Sequence, residues 1–214
     1  MSEHFTYERE TTGQLETYEW DNLWWEHADD QEGKDRVLLI GDSISCGYRG
    51  PVNEELRGEI YADGLGTSKG LDNPVFFSLI EYVINQQKNC KLIQFNNGLH
   101  GWHLSVLEYQ EWYRKFIRFF KEKYPDKQLV IALTTPTREQ DNTAKLDERN
   151  GEVILRNKAV LEIAAAEEIC VNDLYTPLID HPEYYSQDGV HLIADGYRVL
   201  AKQCARVIRE KLEK

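Results

Sequence analysis

Five short apolar runs alternate with stretches of helical periodicity, and this alternation constrains the 214-residue chain more than any other feature. Residues 37–40, 59–62, 91–95, 129–133 and 169–171 read as strands, the second of them weak. Residues 52–56, 74–85, 104–123 and 152–168 carry apolar side chains at helical spacing, and residues 194–212 close the chain as a further amphipathic helix. Strands that are apolar on successive residues need cover on both faces, and helical crossovers between them run the strands parallel. The expected class is therefore α/β, a five-stranded parallel sheet with helices on both sides. Residues 138–150 and 175–189 read as loops. Residues 1–35 form a polar, aromatic leader expected to pack on the domain formed by residues 36–214. In that leader Trp20, Trp24 and Trp25 recur at helical spacing, which suits a short helix or an extended arm stapling its tryptophans to the main body; an aromatic wall for a substrate is the rival reading.

The bulk properties narrow the classes of partner. One domain with a single sizeable core fits this length. The net charge of −12 argues against a nucleic-acid backbone as partner, which needs a basic surface, and against charge-driven binding to an anionic membrane. No run approaches the roughly 18 apolar residues of a membrane span. The first ten residues lack the basic and apolar regions of a signal peptide, so the chain as it stands is expected to be cytoplasmic, or secreted or periplasmic if a signal has been removed. Cys46, Cys90, Cys170 and Cys204 show neither C-x-x-C nor zinc-like spacing and read as free thiols. No cofactor or metal is expected.

In open parallel sheets, ligands bind beyond the C-terminal ends of the strands. Ser43, Gly66, His100 and Thr134 all follow predicted strands and should share that rim. Ser43, after Arg36-Val-Leu-Leu-Ile-Gly-Asp, is placed as an exposed nucleophile would be, but Asp42 or Ser43 could equally cap the next helix. Asp188 and His191 stand three residues apart before the last helix, as an acid orienting an imidazole base or as a cap beside an incidental histidine. The glycines from Gly64 to Gly70 fit neither nucleotide-loop template; they suit a turn, or a backbone N–H donated to an oxyanion. His100 and His103 lack a third ligand for a metal.

These blocks together resemble the SGNH hydrolases, the GDSL-type esterase superfamily, over about residues 36–210. Gly41-Asp42-Ser43-Ile44 matches the first block, Gly66-Thr67-Ser68 the second, and Asp188-Gly-Val-His191 the last. The third block, usually G-x-N-D, reads Gly98-Leu99-His100-Gly101, so His stands where Asn completes the oxyanion hole. Taking Asn96-x-Gly98-x-x-Gly101 as the second block instead leaves too few strands for a third. The resemblance implies a flavodoxin-like three-layer α/β/α sandwich. It implies Ser43, Asp188 and His191 as a catalytic triad, with the Ser43 and Gly66 N–H groups and the His100 side chain as oxyanion donors. The implied chemistry is hydrolysis of a small, acetyl-like acyl ester through an acyl-enzyme; by analogy a carbohydrate is the alcohol. Tyr48, Trp102 and His103, with Tyr184 and Tyr185, are the aromatic candidates for a substrate rim. Two other classes are weighed: a non-catalytic carbohydrate-binding module on a decayed hydrolase, for which the missing Asn speaks, and a flavin- or nucleotide-binding flavodoxin-like protein, against which the glycine spacing speaks.

Overall fold

The computed structural model describes residues 15–30 and 33–213. In chain order the elements are β1 (Asp21–Trp24), β2 (Asp35–Gly41), α1 (Ser43–Leu56), β3 (Ile60–Thr67), α2 (Phe76–Gln86), β4 (Cys90–Phe95) and α3 (Val106–Lys123). They continue with β5 (Gln128–Ala132), β6 (Arg138–Glu139), β7 (Asn142–Leu146), α4 (Arg149–Ala166), β8 (Cys170–Asn172), the short α5 (Thr176–Ile179) and α6 (Ala194–Leu212). The main sheet runs β1-β3-β2-β4-β5-β8. Its five strands from β2 onward are parallel, and β1 pairs antiparallel with β3.

Strand β2 shows why both faces are covered. Side chains alternate between faces with a period of two. Leu38 and Ile40 join one core cluster with Phe76, Ile80, Phe95 and Phe116, under α2 and α3. Val37 and Leu39 join the other with Ile44, Val52, Leu200 and Ile208, under α1 and α6. The expected three-layer α/β sandwich is thus observed, with a sixth, antiparallel strand added from the leader. Among the described residues no helix is long and apolar enough to cross a membrane, and the four cysteines are free.

Several element boundaries differ from the expectations. The first helix begins at Ser43, not residue 52, despite Pro51 inside it. Strand β3 continues through Thr67, so Gly64 and Gly66 lie in a strand and not in a turn. The loop expected over 138–150 contains the β6–β7 hairpin, and the loop over 175–189 contains α5 and a 3-10 turn at Pro182–Tyr184. In the leader, Trp20 and the tryptophans after it lie on an extended segment rather than a helix.

That arm is tied to the sheet through a buried ion pair. Arg36 and Asp63, both fully buried, meet at 2.7 and 2.8 Å through Arg36 Nη1, while Arg36 Nη2 donates to the carbonyls of Glu26, His27 and Asp30. The Glu26 N–H and Gln87 Nε2 also donate to Asp63. Burial pushes the Asp63 carboxyl up, and the hydrogen bonds from Gln87 and Arg36 oppose that shift.

Candidate active site

Ser43 opens α1 directly beyond the C-terminal end of β2. Asp42 caps that helix: its side chain accepts from the Ile44 N–H at 2.9 Å, and its carbonyl accepts from the Ser45 hydroxyl and the Cys46 N–H. Capping therefore falls to Asp42 and leaves the Ser43 hydroxyl for other work. The Ser43 N–H belongs to the first turn, whose amides have no carbonyl four residues back.

His191 reaches Ser43 from 148 positions away, with Nε2 2.8 Å from Ser43 Oγ. On its other side Nδ1 lies 2.6 Å from Asp188 Oδ2. Asp188 Oδ1 accepts from the Ser186 hydroxyl and from the Val190 and His191 N–H groups. The turn that makes this possible passes through Gly189 at φ +73, where a Cβ would also lie 2.1 Å from the Arg138 carbonyl oxygen. Partial burial alone would raise the Asp188 carboxyl, but the bonds from His191, Val190 and Ser186 outweigh it and hold the group well below the usual carboxylate range. An ionised Asp188 only accepts, so His191 Nδ1 carries a proton and Nε2 of the neutral ring presents its lone pair to the Ser43 hydroxyl. This arrangement can withdraw the serine proton.

His100 stands on the loop after β4. Arg156 of α4, fully buried, donates to the carbonyls of Gly98, His100, Gly101 and Leu104, and so braces this loop from beneath. Asp42 lies within electrostatic reach of both His100 and His191; burial raises its carboxyl, and His100, the Ile44 N–H and His191 pull it down.

No family model matches the sequence. A GDSL esterase/lipase of Arabidopsis thaliana is 27% identical over 121 residues, 51% of this chain and 50% of that protein. The chain thus spans about half the length of the curated relative it matches. A GDSL-like lipase of Bacteroides thetaiotaomicron superposes with a TM-score of 0.65 at 16% identity, over 83% of this chain and 89% of that one. A protein of Slackia heliotrinireducens assigned to the SGNH hydrolases gives 0.63 at 21% identity, over 82% and 100% of the two chains. The chain has the SGNH-hydrolase fold. A carbohydrate acetylesterase family member of Sinorhizobium meliloti shares it, with a TM-score of 0.64 at 16% identity over 84% of this chain and all (100%) of the other.

Within this SGNH fold, several expected site residues are placed otherwise. Gly66 was expected to offer its N–H to an oxyanion, but that N–H is committed to the sheet. The Ser68 N–H donates to the Trp20 carbonyl, and bonded pairs recur at every second residue of an antiparallel ladder. The next bonded pair is therefore Asn22 with Gly66, which the register sets opposite each other. Glycine is needed here for closeness: a Cβ would lie 2.2 Å from Cys46 Sγ and 3.3 Å from the Asp42 carbonyl oxygen. Tyr48 belongs to the core and not to a substrate rim, being 2% exposed with its hydroxyl accepting from Gln94. His103 is engaged by Asp72, Nε2 to Oδ2 at 2.7 Å, which joins the loop after β4 to the loop after β3. Tyr185 is buried with its hydroxyl on the Pro136 carbonyl, and Tyr184 stacks on His181. Trp102 is half-buried beside the guanidinium groups of Arg149 and Arg156. Thr134 is buried, its hydroxyl accepting from Asn96 and its N–H donating to Asn157.

Sequence reasoning missed the brace from Arg156 and the approach of the arm to His100. Arg156 had a signal, a cation within an Ala-, Leu- and Ile-rich helix. Glu16, whose Oε1 lies 3.7 Å from His100 Nδ1, had none, while Trp20, edge-to-face against the same ring, was singled out only as an aromatic of the leader. Among the described residues no group of three or more His, Cys, Asp or Glu is placed to hold a metal.

Proposed function

We propose that this chain is a carboxylic ester hydrolase that uses Ser43 as its nucleophile. One observation carries the reading: the continuous chain from Ser43 Oγ through the His191 ring to Asp188, at 2.8 and 2.6 Å. In the proposed reaction His191 Nε2 takes the Ser43 proton as Oγ attacks the ester carbonyl carbon. The resulting oxyanion is held by the Ser43 N–H at the start of α1 and by the His100 side chain. Collapse of the tetrahedral intermediate breaks the bond to the alcohol, which leaves with the proton from His191. Water, deprotonated by the same nitrogen, then cleaves the acyl-enzyme and restores Ser43.

The substrate we favour is a small, acetyl-like ester on a carbohydrate. Its support is the shared fold with the Sinorhizobium meliloti carbohydrate acetylesterase family member and with an acetyl xylan esterase (TM-score 0.64). Trp102 is the remaining aromatic candidate for contact with a sugar ring. The activity is tested with a fluorophosphonate probe and intact-mass measurement, followed by a panel of aryl esters of rising acyl length and of acetylated sugars. A single adduct on the natural chain, lost in Ser43→Ala, is expected, with acetyl esters turned over fastest. An unlabelled natural chain, or an adduct that persists in Ser43→Ala, would overturn the assignment.

A further inference from the structure

The arm carries an aromatic ring to the neighbourhood of the nucleophile. The half-buried Trp20 indole lies edge-to-face against the His100 ring, centroids 6.4 Å apart at 80°. It also crosses the end of β3: a Cβ at Gly66 would meet Trp20 Cζ3 and the Asp42 carbonyl oxygen, each at 3.3 Å. That carbonyl belongs to the peptide that enters Ser43, so the indole and the backbone of the nucleophile flank one glycine. The arm is fixed where it does this. The Trp20 N–H donates to Ser68 Oγ at 2.9 Å, and its carbonyl accepts the Ser68 N–H at 3.1 Å. Asp21 accepts from Thr67 Oγ1 and Lys69 Nζ, and Glu19 accepts from Asn73. Glu16, on the same arm, accepts the Gly101 N–H through Oε1 at 3.0 Å. Its side chain is 30% exposed, and among the described residues its Oε2 makes no hydrogen bond.

We propose that Trp20 and Glu16 form a binding subsite for the alcohol portion of the ester, and that this portion is a neutral pyranose ring. The inference rests on the esterase reading above. An indole offers a flat apolar face with a large contact area, and the C–H groups of a pyranose pack on such a face. A carboxylate oxygen beside it accepts from the ring hydroxyls. The charges disfavour an anionic alcohol: the arm carries Glu16, Glu19 and Asp21, and Lys69, which reaches the arm, is engaged by Asp21 and Glu19. They also disfavour an alkyl chain, which would take water from Glu16 without replacing its hydrogen bonds. Because the arm is pinned to the end of β3 and to the loop after it, little further ordering is needed when the ligand arrives. The arm thereby selects which esters reach Ser43, and it adds a second aromatic contact to that of Trp102.

Methyl β-D-glucopyranoside, which carries no ester, tests this on the full resting chain. In ¹H–¹⁵N correlation spectra the Trp20 indole N–H, identified by its loss in Trp20→Phe, should shift saturably in the millimolar range. Sorbitol, which has hydroxyls but no ring, should leave it in place. Saturation transfer to the glucoside protons follows binding in the variants. Trp20→Ala should weaken it about 5- to 10-fold, Trp20→Phe less, and Glu16→Gln about 3-fold. With acetylated methyl glucopyranoside as substrate, Trp20→Ala should raise KM by a similar factor and change kcat much less, the pattern of binding shared by ground and transition states. An indole signal unmoved by the glucoside, an equal response to sorbitol, or glucoside binding undiminished in Trp20→Ala would overturn the subsite. The fluorophosphonate result keeps this separate from the esterase reading. A chain that binds the glucoside at Trp20 but takes no adduct sinks the esterase and leaves the sugar subsite standing; an adduct without a Trp20 shift does the reverse.

Discussion

Asp188 receives hydrogen bonds on both carboxylate oxygens, and its protonation is the feature most open to measurement. Its carboxyl is held low in the folded chain, so the sign of its pH dependence is fixed. The stability it contributes is complete above the ordinary unfolded carboxylate pKa of about 3.9 and is lost as pH falls from there through the lower native value. Unfolding midpoints of the natural chain and Asp188→Asn should therefore differ at neutral pH and converge only below about pH 4. The same substitution should lower kcat by about 10⁴-fold, because an amide donating to Nδ1 turns the ring to the wrong tautomer. Equal turnover by Asp188→Asn would remove Asp188 from the orienting role. These residues were legible in the sequence because few side chain types can perform the chemistry they suggest. Tyr48 was misassigned because the start of α1 was not legible, and without it the phase that turns Tyr48 inward was unknown.

Among the elements, β3 depends most on what surrounds it. Only its first residues were read as a strand, and the rest as a turn or an oxyanion loop, because Gly64 and Gly66 resemble turn residues. Their real constraint is steric: Arg49 side-chain atoms and Cys46 Sγ occupy the places where side chains would stand. Long-range crowding of this kind leaves no local mark in a sequence, and the four-residue β1, opening Asp-Asn, leaves little more. By contrast, β2 and β5 were plain, because successive apolar residues demand cover on both faces. Asp63 on β3 is the anchor that joins this strand to the arm. Asp63→Ala should cost about 3–5 kcal/mol, because it strands the buried Arg36 guanidinium. Urea unfolding measures this, and a loss below about 1 kcal/mol would mean that Arg36 is satisfied by its three carbonyl partners alone.

The whole molecule carries a buried thiol on each side of its sheet, Cys90 in the cluster with α2 and α3 and Cys204 in the cluster with α1 and α6. Burial pushes both thiols up to about 12, which suppresses the reactive thiolate. Cys46 and Cys170 are only partly buried. A thiol reagent should therefore label Cys46 and Cys170 in the native protein, and Cys90 and Cys204 only on unfolding. Followed through a urea titration, the two buried thiols should appear together if the layers unfold as one unit; separate midpoints would show that the two faces unfold independently.

The antiparallel strand β1 has one more consequence. Strand β3 is buried along all eight of its residues, and β1 covers its outer edge from Gly64 to Thr67; the opposite edge of the sheet is β8, only three residues long. Without β1 the whole edge of β3 would be a template for another chain, whereas a three-residue edge is a poor one. A shortened protein that starts at residue 27 would keep Ser43, His191 and Asp188, yet it would expose that template. Its failure would show first as self-association during expression, not as a defect in chemistry.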